Sequence, residues 1–283
     1  MSGIISDIQS LDNHLKSIDW DTPNASIFVM GWIAGCTWYE KINHQHIPTL
    51  SIKIPEEYGK TWFANEILSS IPMNFEVANS DTKHLNLREK IKISKPMMYA
   101  DDPRGVPVIW NDFDRTQKST QRKWLSRARC PTVMAYGNTS SPFCFLVEND
   151  IMSSIPWSYN LNKRMAKFEI KNPINTNFSN PLKLTDNKEL FFEFIERRKK
   201  SIKETCKKIK NNIKTRTRME TEYVYPFLLA NGFEIINDRP PSEQEIQSLV
   251  KLPEWQIKHD DLANMGEKYE KFAKKINDKR YSH

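Results

Sequence analysis

The sequence predicts an α/β fold, with a parallel sheet flanked by helices and further helical segments at both ends of the chain. Short apolar segments alternate with stretches of helical periodicity, which is the pattern of strands joined by crossover helices. A helical pattern over 60–70 directly follows the first apolar segment. The predicted strands lie at 47–54, 106–110, 132–136 and 167–170.

The two ends of the chain predict helices outside the sheet. Apolar residues recur at three- and four-residue steps over 3–19, as on one face of a helix. The apolar run at 27–39 is shorter than the roughly 20 residues that cross a bilayer, so it indicates a buried helix or strand. Residues 191–213 have helical spacing with a basic opposite face, and 242–280 are typical of charged helices. The expected domains are an N-terminal helical segment over 1–46, a core over 47–182 and a basic helical region over 183–283.

The composition is that of a packed protein with a modest basic excess. Hydrophobic residues make up 39% of the 283 residues and include 14 Phe and 8 Trp, which excludes a disordered chain. The net charge of +7 suits a polyanion such as nucleic acid, although it also fits a basic protein without such a partner. The four cysteines are scattered, and no leader or membrane span is evident. We therefore expect an intracellular protein that is not secreted, with no membrane partner and no structural metal.

Residues 54–61, with the sequence IPEEYGKT, have the context of a phosphate loop, because they follow a predicted strand and open a predicted helix. Such a loop needs a lysine for the β- and γ-phosphates, a hydroxyl for Mg²⁺ and backbone N–H groups at a helix start. The residues that match are Gly59, Lys60 and Thr61. The first half departs from the pattern, because Ile54 stands where glycine is usual. Glu56 and Glu57 also bring negative charge to the loop, which disfavours a triphosphate unless they point outward or pair with cations.

Three further motifs follow the loop. The second predicted strand leads to Asn111 and Asp112, and a carboxylate there can hold the magnesium ion or act as a base. The third is followed by Asn138, whose amide can orient an attacking water. Arg164 stands just before the fourth, and an arginine supplied across a subunit interface stabilises the transferring phosphoryl group. An ordinary strand leading into a polar turn is the plain alternative for each motif taken alone.

The order of these four motifs resembles the ATPase core of viral superfamily 3 helicases, which are P-loop NTPases of the AAA+ class. The chain is most similar to the parvovirus replication proteins. The similarity spans 47–202 and extends to residues around the motifs. The flanking matches are at 59–79, 108–110, 162–169 and 184–195.

The resemblance implies a ring hexamer on DNA that hydrolyses ATP with Mg²⁺ between its subunits. Gly59 and Lys60 would then bind phosphate, and Thr61 would reach the magnesium ion through the nucleotide. Asn138 would be the sensor of the nucleotide state. Arg164 would be the finger that acts on the neighbouring subunit's nucleotide.

The place of Asp112 stays open between two alignments, and in either it is a catalytic or magnesium-binding acid. Aligned to the helicases of small circular-DNA viruses, Asp112 takes the second, catalytic position and Asn111 replaces the magnesium-side acid. Aligned to the parvovirus pattern, it takes the first position and Phe113 replaces the base.

The segment between the acidic strand and the sensor also departs from the family. Only 25 residues separate Asp112 from Asn138, so the DNA-contacting hairpin of the family is shortened or lost. The segment is still basic, and its candidate contacts to nucleic acid are Arg122, Lys123 and Arg127. A solvated helix face explains these cations equally well.

Three functions follow from the sequence. The first is a superfamily 3-like helicase ATPase that acts in replication or packaging of a viral or virus-derived genome, in a host nucleus or associated with a virion. The second is an inactive descendant of that fold that binds nucleic acid or serves in assembly. The third is a structural protein in which the motifs are coincidental. DNA rather than RNA is the expected nucleic acid for the first two.

Overall fold

The computed structural model describes eight stretches of the chain and confirms the predicted α/β class, with a parallel sheet flanked by helices. The described residues are 2–36, 49–71, 75–81, 107–121, 143–149, 165–177, 188–212 and 220–250. The sheet has five strands in the order β2-β3-β4-β1-β5, and every neighbouring pair is parallel. These strands are β1 Thr49–Lys53, β2 Glu76–Ala78, β3 Val108–Trp110, β4 Phe143–Val147 and β5 Met165–Glu169.

The central strand of this sheet is β1, which pairs with β4 on one side and with β5 on the other. Its side chains Leu50 and Ile52 are fully buried. Parallel strands that are covered on both faces are apolar almost throughout, and β3 (VIW) and β4 (FCFLV) follow that rule. The residues that come after β1 therefore lie at the middle of the sheet's carboxyl edge.

Six helices surround the sheet in the described residues, in addition to the short 3-10 turn Phe113–Arg115 that follows β3. Five are α-helices: α1 Ser2–Ser17, α2 Ala25–Gly35, α4 Lys188–Asn212, α5 Glu220–Asn237 and α6 Glu243–Leu249. The sixth, α3, follows β1 and has three parts, an α-turn Lys60–Trp62, a π-helix Phe63–Ile67 and a 3-10 turn Leu68–Ser70. Helix α2 packs against α5, α5 against α4, and α1 against both α2 and α3. The two ends of the described chain therefore pack together.

Two glycines bring the backbones of α2 and α5 into direct contact. A Cβ atom on Gly31 would lie 2.0 Å from the carbonyl oxygen of Leu228, and one on Gly232 would lie 1.9 Å from that of Ile27. The side-chain amide of Asn231 also donates a hydrogen bond of 2.9 Å to the carbonyl oxygen of Gly31. Only glycine at both positions allows this approach, because real Cβ atoms do not come so near to backbone oxygens.

A buried charged pair joins α5 to α4. Glu234 has no exposed surface, and its carboxylate lies 3.1 Å from the guanidinium of Arg198. It also accepts a hydrogen bond from the hydroxyl of Thr205. A buried charge without partners would cost several kcal/mol of stability, so these contacts specify how the two helices meet.

The predicted elements are confirmed where the structure describes them, and two strands are added. The periodic segments at 3–19 and 191–213 form α1 and α4, and the buried run at 27–39 contributes to a helix, α2, rather than to a strand. Strands β2 and β4 were not predicted. The predicted strand at 132–136 lies outside the described residues, as does most of the run predicted to be helical at 242–280.

Replacing Gly31 by alanine should destabilise the fold, because the new methyl group would overlap the Leu228 carbonyl oxygen. The free energy of unfolding should fall by roughly 1–3 kcal/mol, the usual cost of overpacking a core. Urea denaturation of wild type and variant measures the difference.

The matched control is Gly3→Ala in α1, where nothing lies within 4 Å of the added Cβ. Alanine is the better helix former by up to about 1 kcal/mol, so this variant should be as stable as wild type or more so. Equal stability of the Gly31→Ala variant and wild type would contradict the close contact of α2 with α5.

Candidate functional site

The candidate site lies where the carboxyl ends of β1, β3 and β4 meet. From β1 the chain passes to β2 at one edge, returns through β3 to β4, and then crosses to β5 on the other side of β1. The connection that leaves β1 runs towards one edge of the sheet, whereas the connection that leaves the adjacent β4 runs towards the other edge. In open parallel sheets, ligands bind outside the carboxyl ends of the strands at such a switch point.

The loop after β1 begins in the core and ends in a left-handed turn. The backbone N–H of Ile54 donates to the carbonyl of Val147 at 2.8 Å, and the Ile54 side chain is fully buried. Gly59 has a φ of +91°, which side chains of L-residues rarely adopt. A Cβ there would also lie 3.3 Å from Ile174, whose N–H donates to the Tyr58 carbonyl. Ile54 thus packs as a core residue, whereas Gly59 is required by the turn.

Lys60 opens α3 and is bonded to two carboxylates. Its ammonium donates to Asp112, which follows β3, and to Oε1 of Glu148 at 2.6 Å, which follows β4. Burial lowers the pKa of Lys60, but the hydrogen bonds to Asp112 and Glu148 outweigh it, so that the pKa is raised above its usual 10.5. The lysine is therefore a cation held at the middle of the carboxyl edge.

Glu148 is a second centre of this cluster. Its other oxygen, Oε2, accepts a hydrogen bond of 2.6 Å from Nη2 of Arg115, at the end of the 3-10 turn Phe113–Arg115. The hydrogen bond from Lys60, followed by that from Arg115, lowers the pKa of Glu148 below its usual 4.5. One carboxylate therefore bridges two cations.

The two acids of the loop after β1 are exposed to solvent. The side chain of Glu56 is 78% exposed and lies 3.8 Å from the guanidinium of Arg115. Glu57 is also exposed, with a φ of +65°. The negative charges of Glu56 and Glu57, which would disfavour a phosphate in this loop, are therefore solvated or paired with a cation. Under this condition the loop is compatible with a triphosphate.

The turn after β3 is held by hydrogen bonds. The side-chain amide of Gln121 donates to the carbonyl oxygens of Phe113, Asp114 and Thr116, each at 2.8–2.9 Å. Asp112 adopts a φ of +53°, in the left-handed region that Asp tolerates better than most residues. The carboxylate of Asp112 is therefore presented from a fixed backbone.

The structure brings together the described residues that the sequence singled out and adds three more. Lys60 and Asp112 are in contact, and Gly59 and Thr61 flank Lys60 in the chain. The other predicted residues lie outside the described residues; they are Asn138, Arg164, Arg122, Lys123 and Arg127. Asn149 joins the turn after β3, because its backbone N–H and side-chain amide donate to Oδ2 of Asp114 at 3.1 and 3.3 Å. The sequence did not single out Glu148, Asn149 or Arg115 as site residues. The signal for the first two was the five-residue apolar run of β4 directly before them.

The oxygen donors of this site fit magnesium only together with a nucleotide. Among the described residues, no group of three His, Cys, Asp or Glu side chains could hold a metal ion by itself. Mg²⁺ is usually bound by one or two carboxylates together with the oxygens of substrate phosphates. Asp112, Glu148 and the exposed hydroxyl-bearing Thr61 are oxygen donors of that kind.

The lowered pKa of Glu148 predicts a stability contribution that is lost in acid. A carboxylate with a lowered folded pKa stabilises the fold above its unfolded value, near 4.5, and this contribution disappears as the pH falls through the folded value. Glu148→Gln should therefore be less stable than wild type at about pH 7, with a difference that shrinks as the pH drops below 4.5. Urea denaturation as a function of pH measures this difference, and the exposed Glu57→Gln is the control. A difference that does not change with pH would contradict the ionic origin of the contribution.

No helix in the described part of the chain is both long and apolar enough to span a bilayer.

Comparison with known proteins shows a similar fold in a helicase and no family match. No protein-family model and no curated protein matches the chain. The fold is similar to a solved structure described as "SCCmec type IV Cch - active helicase", with a TM-score of 0.51 and 14% sequence identity. The match covers 79% of this chain and 46% of the other, so the chain corresponds to less than half of that helicase. The described α/β fold is therefore similar to that of part of this helicase.

Proposed function

We propose that the protein is a P-loop ATPase of the superfamily 3 helicase type that acts in replication or packaging of a viral or virus-derived genome. One observation carries the proposal. Lys60, at the start of the helix after the central strand, contacts the acid that follows β3. A phosphate-binding lysine and a magnesium-side or catalytic acid occupy these positions in P-loop ATPases.

In this proposal, Lys60 exchanges its carboxylate partners for the β- and γ-phosphates of ATP. The backbone N–H groups at the start of α3, including that of Thr61, face the same phosphates. Thr61 and Asp112 contribute oxygens to Mg²⁺, which would neutralise the charge that develops on the transferring phosphoryl group. Arg115, now paired with Glu148, adds a second cation beside the phosphates.

The proposed role of Arg164 requires a second subunit. The resemblance to superfamily 3 helicases implies that Arg164 acts on the nucleotide of a neighbouring subunit, as in a hexameric ring. Asn138 stays the proposed sensor, and Arg122, Lys123 and Arg127 the proposed contacts to DNA.

The similarity of fold to a protein described as an active helicase supports a nucleic-acid partner. The net charge of +7 supports the same partner.

ATP binding by wild type and Lys60→Ala tests the proposal. The variant loses the ammonium that would meet phosphate and leaves Asp112 and Glu148 to repel it. We expect the affinity for Mg-ATP to fall at least about tenfold, which corresponds to roughly 1.4 kcal/mol. Titration calorimetry measures the affinity of each protein.

The control is Lys118→Ala, which removes a charge from an exposed lysine shortly after the turn at Phe113–Arg115. Its affinity for Mg-ATP should equal that of wild type. If wild type and Lys60→Ala bind Mg-ATP equally, or neither binds it, the ATPase proposal is wrong.

A second candidate function, binding of nucleic acid without hydrolysis, is favoured by the state of the cations. Both Lys60 and Arg115 are already neutralised by carboxylates, and Asn111 carries no charge. A protein of this kind would hold nucleic acid through Lys and Arg side chains and would not respond to ATP.

Salt dependence of DNA binding tests the nucleic-acid surface. If Arg122, Lys123 and Arg127 each contact one phosphate, replacing all three by alanine should make the slope of log affinity against log salt shallower by about 2–3 units. The control replaces three exposed lysines of α4, namely Lys200, Lys203 and Lys207.

Fluorescence anisotropy with labelled single-stranded DNA measures both slopes. If the slope for the variant that lacks Arg122, Lys123 and Arg127 equals that of wild type, these three residues do not contact DNA phosphates. Binding that ATP alters in wild type supports the helicase proposal, whereas binding that ATP leaves unaltered supports the second candidate.

A further inference from the structure

Strand β3 leads to Asn111 at a position where a P-loop ATPase would have an acidic residue. Phosphoryl transfer in P-loop ATPases uses one carboxylate at the magnesium ion and a second group that orients or activates the nucleophile. Strand β3 is followed directly by Asn111 and Asp112, of which only Asp112 carries a carboxylate. The next acid, Asp114, accepts hydrogen bonds from the backbone N–H and the side-chain amide of Asn149 instead of contacting Lys60. The Oδ1 atom of Asn111 is buried without a hydrogen-bond partner, and a neutral amide oxygen is a weaker ligand for Mg²⁺ than a carboxylate.

Strand β4 supplies a second carboxylate at the same place. Glu148 directly follows β4, which pairs with β3 on one side and with β1 on the other. Its side chain is only 13% exposed. Glu148 and Asp112 both bond to the Lys60 ammonium, so the two carboxylates lie close enough for one cation to bridge them.

Packing beneath Glu148 holds β4 against the turn that carries Asp112. The rings of Phe113 and Phe145 stack with their centroids 4.0 Å apart, and Trp110 meets the edge of Phe113 at 5.2 Å. All three side chains are fully buried. Because aromatic rings packed in this way shift little, the core fixes the backbone positions from which the two carboxylates project.

Charge balance indicates what the two carboxylates do when a nucleotide is present. Lys60 and Arg115 then turn to phosphate, and Asp112 and Glu148 lose their cations. Two adjacent carboxylates without a cation repel each other. Asp112 and Glu148 would then hold a magnesium ion through oxygen ligands of the preferred kind, and the ion would supply the positive charge that balances theirs.

We propose that Glu148 is a magnesium-side carboxylate of this site and takes the place of the acid that is missing at Asn111. The inference rests on the proposed ATPase function, because the metal arrives with the nucleotide. The rival role for Glu148 is that of an anion that merely occupies Lys60 and Arg115 until phosphate displaces it. The two roles predict opposite effects when its charge is removed.

The experiment measures ATP affinity in Mg²⁺ and in EDTA for wild type, Glu148→Gln and Glu57→Gln. Glutamine keeps the size of Glu148 and an oxygen that can accept from Lys60. Glu57→Gln removes the same charge from an exposed side chain of the neighbouring loop. Electron paramagnetic resonance of Mn²⁺ with each protein–ATP complex reports the metal directly, without turnover.

A metal ligand at Glu148 makes the gain in affinity from Mg²⁺ at least about tenfold smaller in Glu148→Gln. Affinity in EDTA should be unchanged or higher, and the bound Mn²⁺ signal should weaken. Glu148→Asp, which retains a carboxylate on a shorter chain, should restore part of the gain, and Glu57→Gln should behave as wild type.

Two other outcomes overturn the inference and are distinct. If Glu148→Gln binds ATP more tightly in both Mg²⁺ and EDTA and keeps the full gain from Mg²⁺, Glu148 is only a competitor of phosphate, and the ATPase proposal survives. If wild type binds no ATP under either condition, the ATPase proposal itself fails, and the role of Glu148 fails with it.

Discussion

The shared ammonium of Lys60 is the interaction on which the arrangement of the site depends. It follows β1 and bonds to carboxylates that follow β3 and β4, so three adjacent strands end at one positive charge. The cluster forms because these strands are adjacent and parallel, so that their carboxyl ends lie at the same edge of the sheet. The sheet topology therefore determines which charged side chains meet at its carboxyl edge.

The helices at the ends of the chain support the segment that carries this lysine. Trp20, between α1 and α2, meets the ring of Phe63 in α3 at 6.0 Å and that of Phe168 in β5 at 6.2 Å. His14 of α1 lies 6.2 Å from the ring of Trp62. Residues far from the site in sequence thus set the direction in which α3 leaves the sheet.

Much of the fold could be predicted because it follows from local periodicity, whereas the missing parts depend on distant contacts. The spacing of Ile4, Ile8 and Leu11 marks α1 without reference to the rest of the chain. Strand β4 forms by pairing with β1 and β3, which are distant in sequence, so local periodicity does not reveal it. The contact of Lys60 with Glu148 likewise joins residues that are 88 positions apart. The loop around Lys60 could likewise be predicted from its motif, but the exposure of Glu56 and Glu57 and the pairing of Glu56 with Arg115 could not. The superfamily 3 assignment stays a proposal, since no family model matches.

The buried side chain of Ile54 has a consequence for how this loop can change over evolutionary time. A glycine there would restore the usual first residue of a phosphate loop, yet it would empty a fully buried site in the core. Truncating a buried isoleucine to alanine already costs about 2–5 kcal/mol, a large part of the roughly 5–15 kcal/mol that stabilises a typical domain. A change of Ile54 to glycine alone would therefore lower the stability of the fold substantially. The stability of the fold therefore favours isoleucine at this position, independently of whether the loop binds a nucleotide.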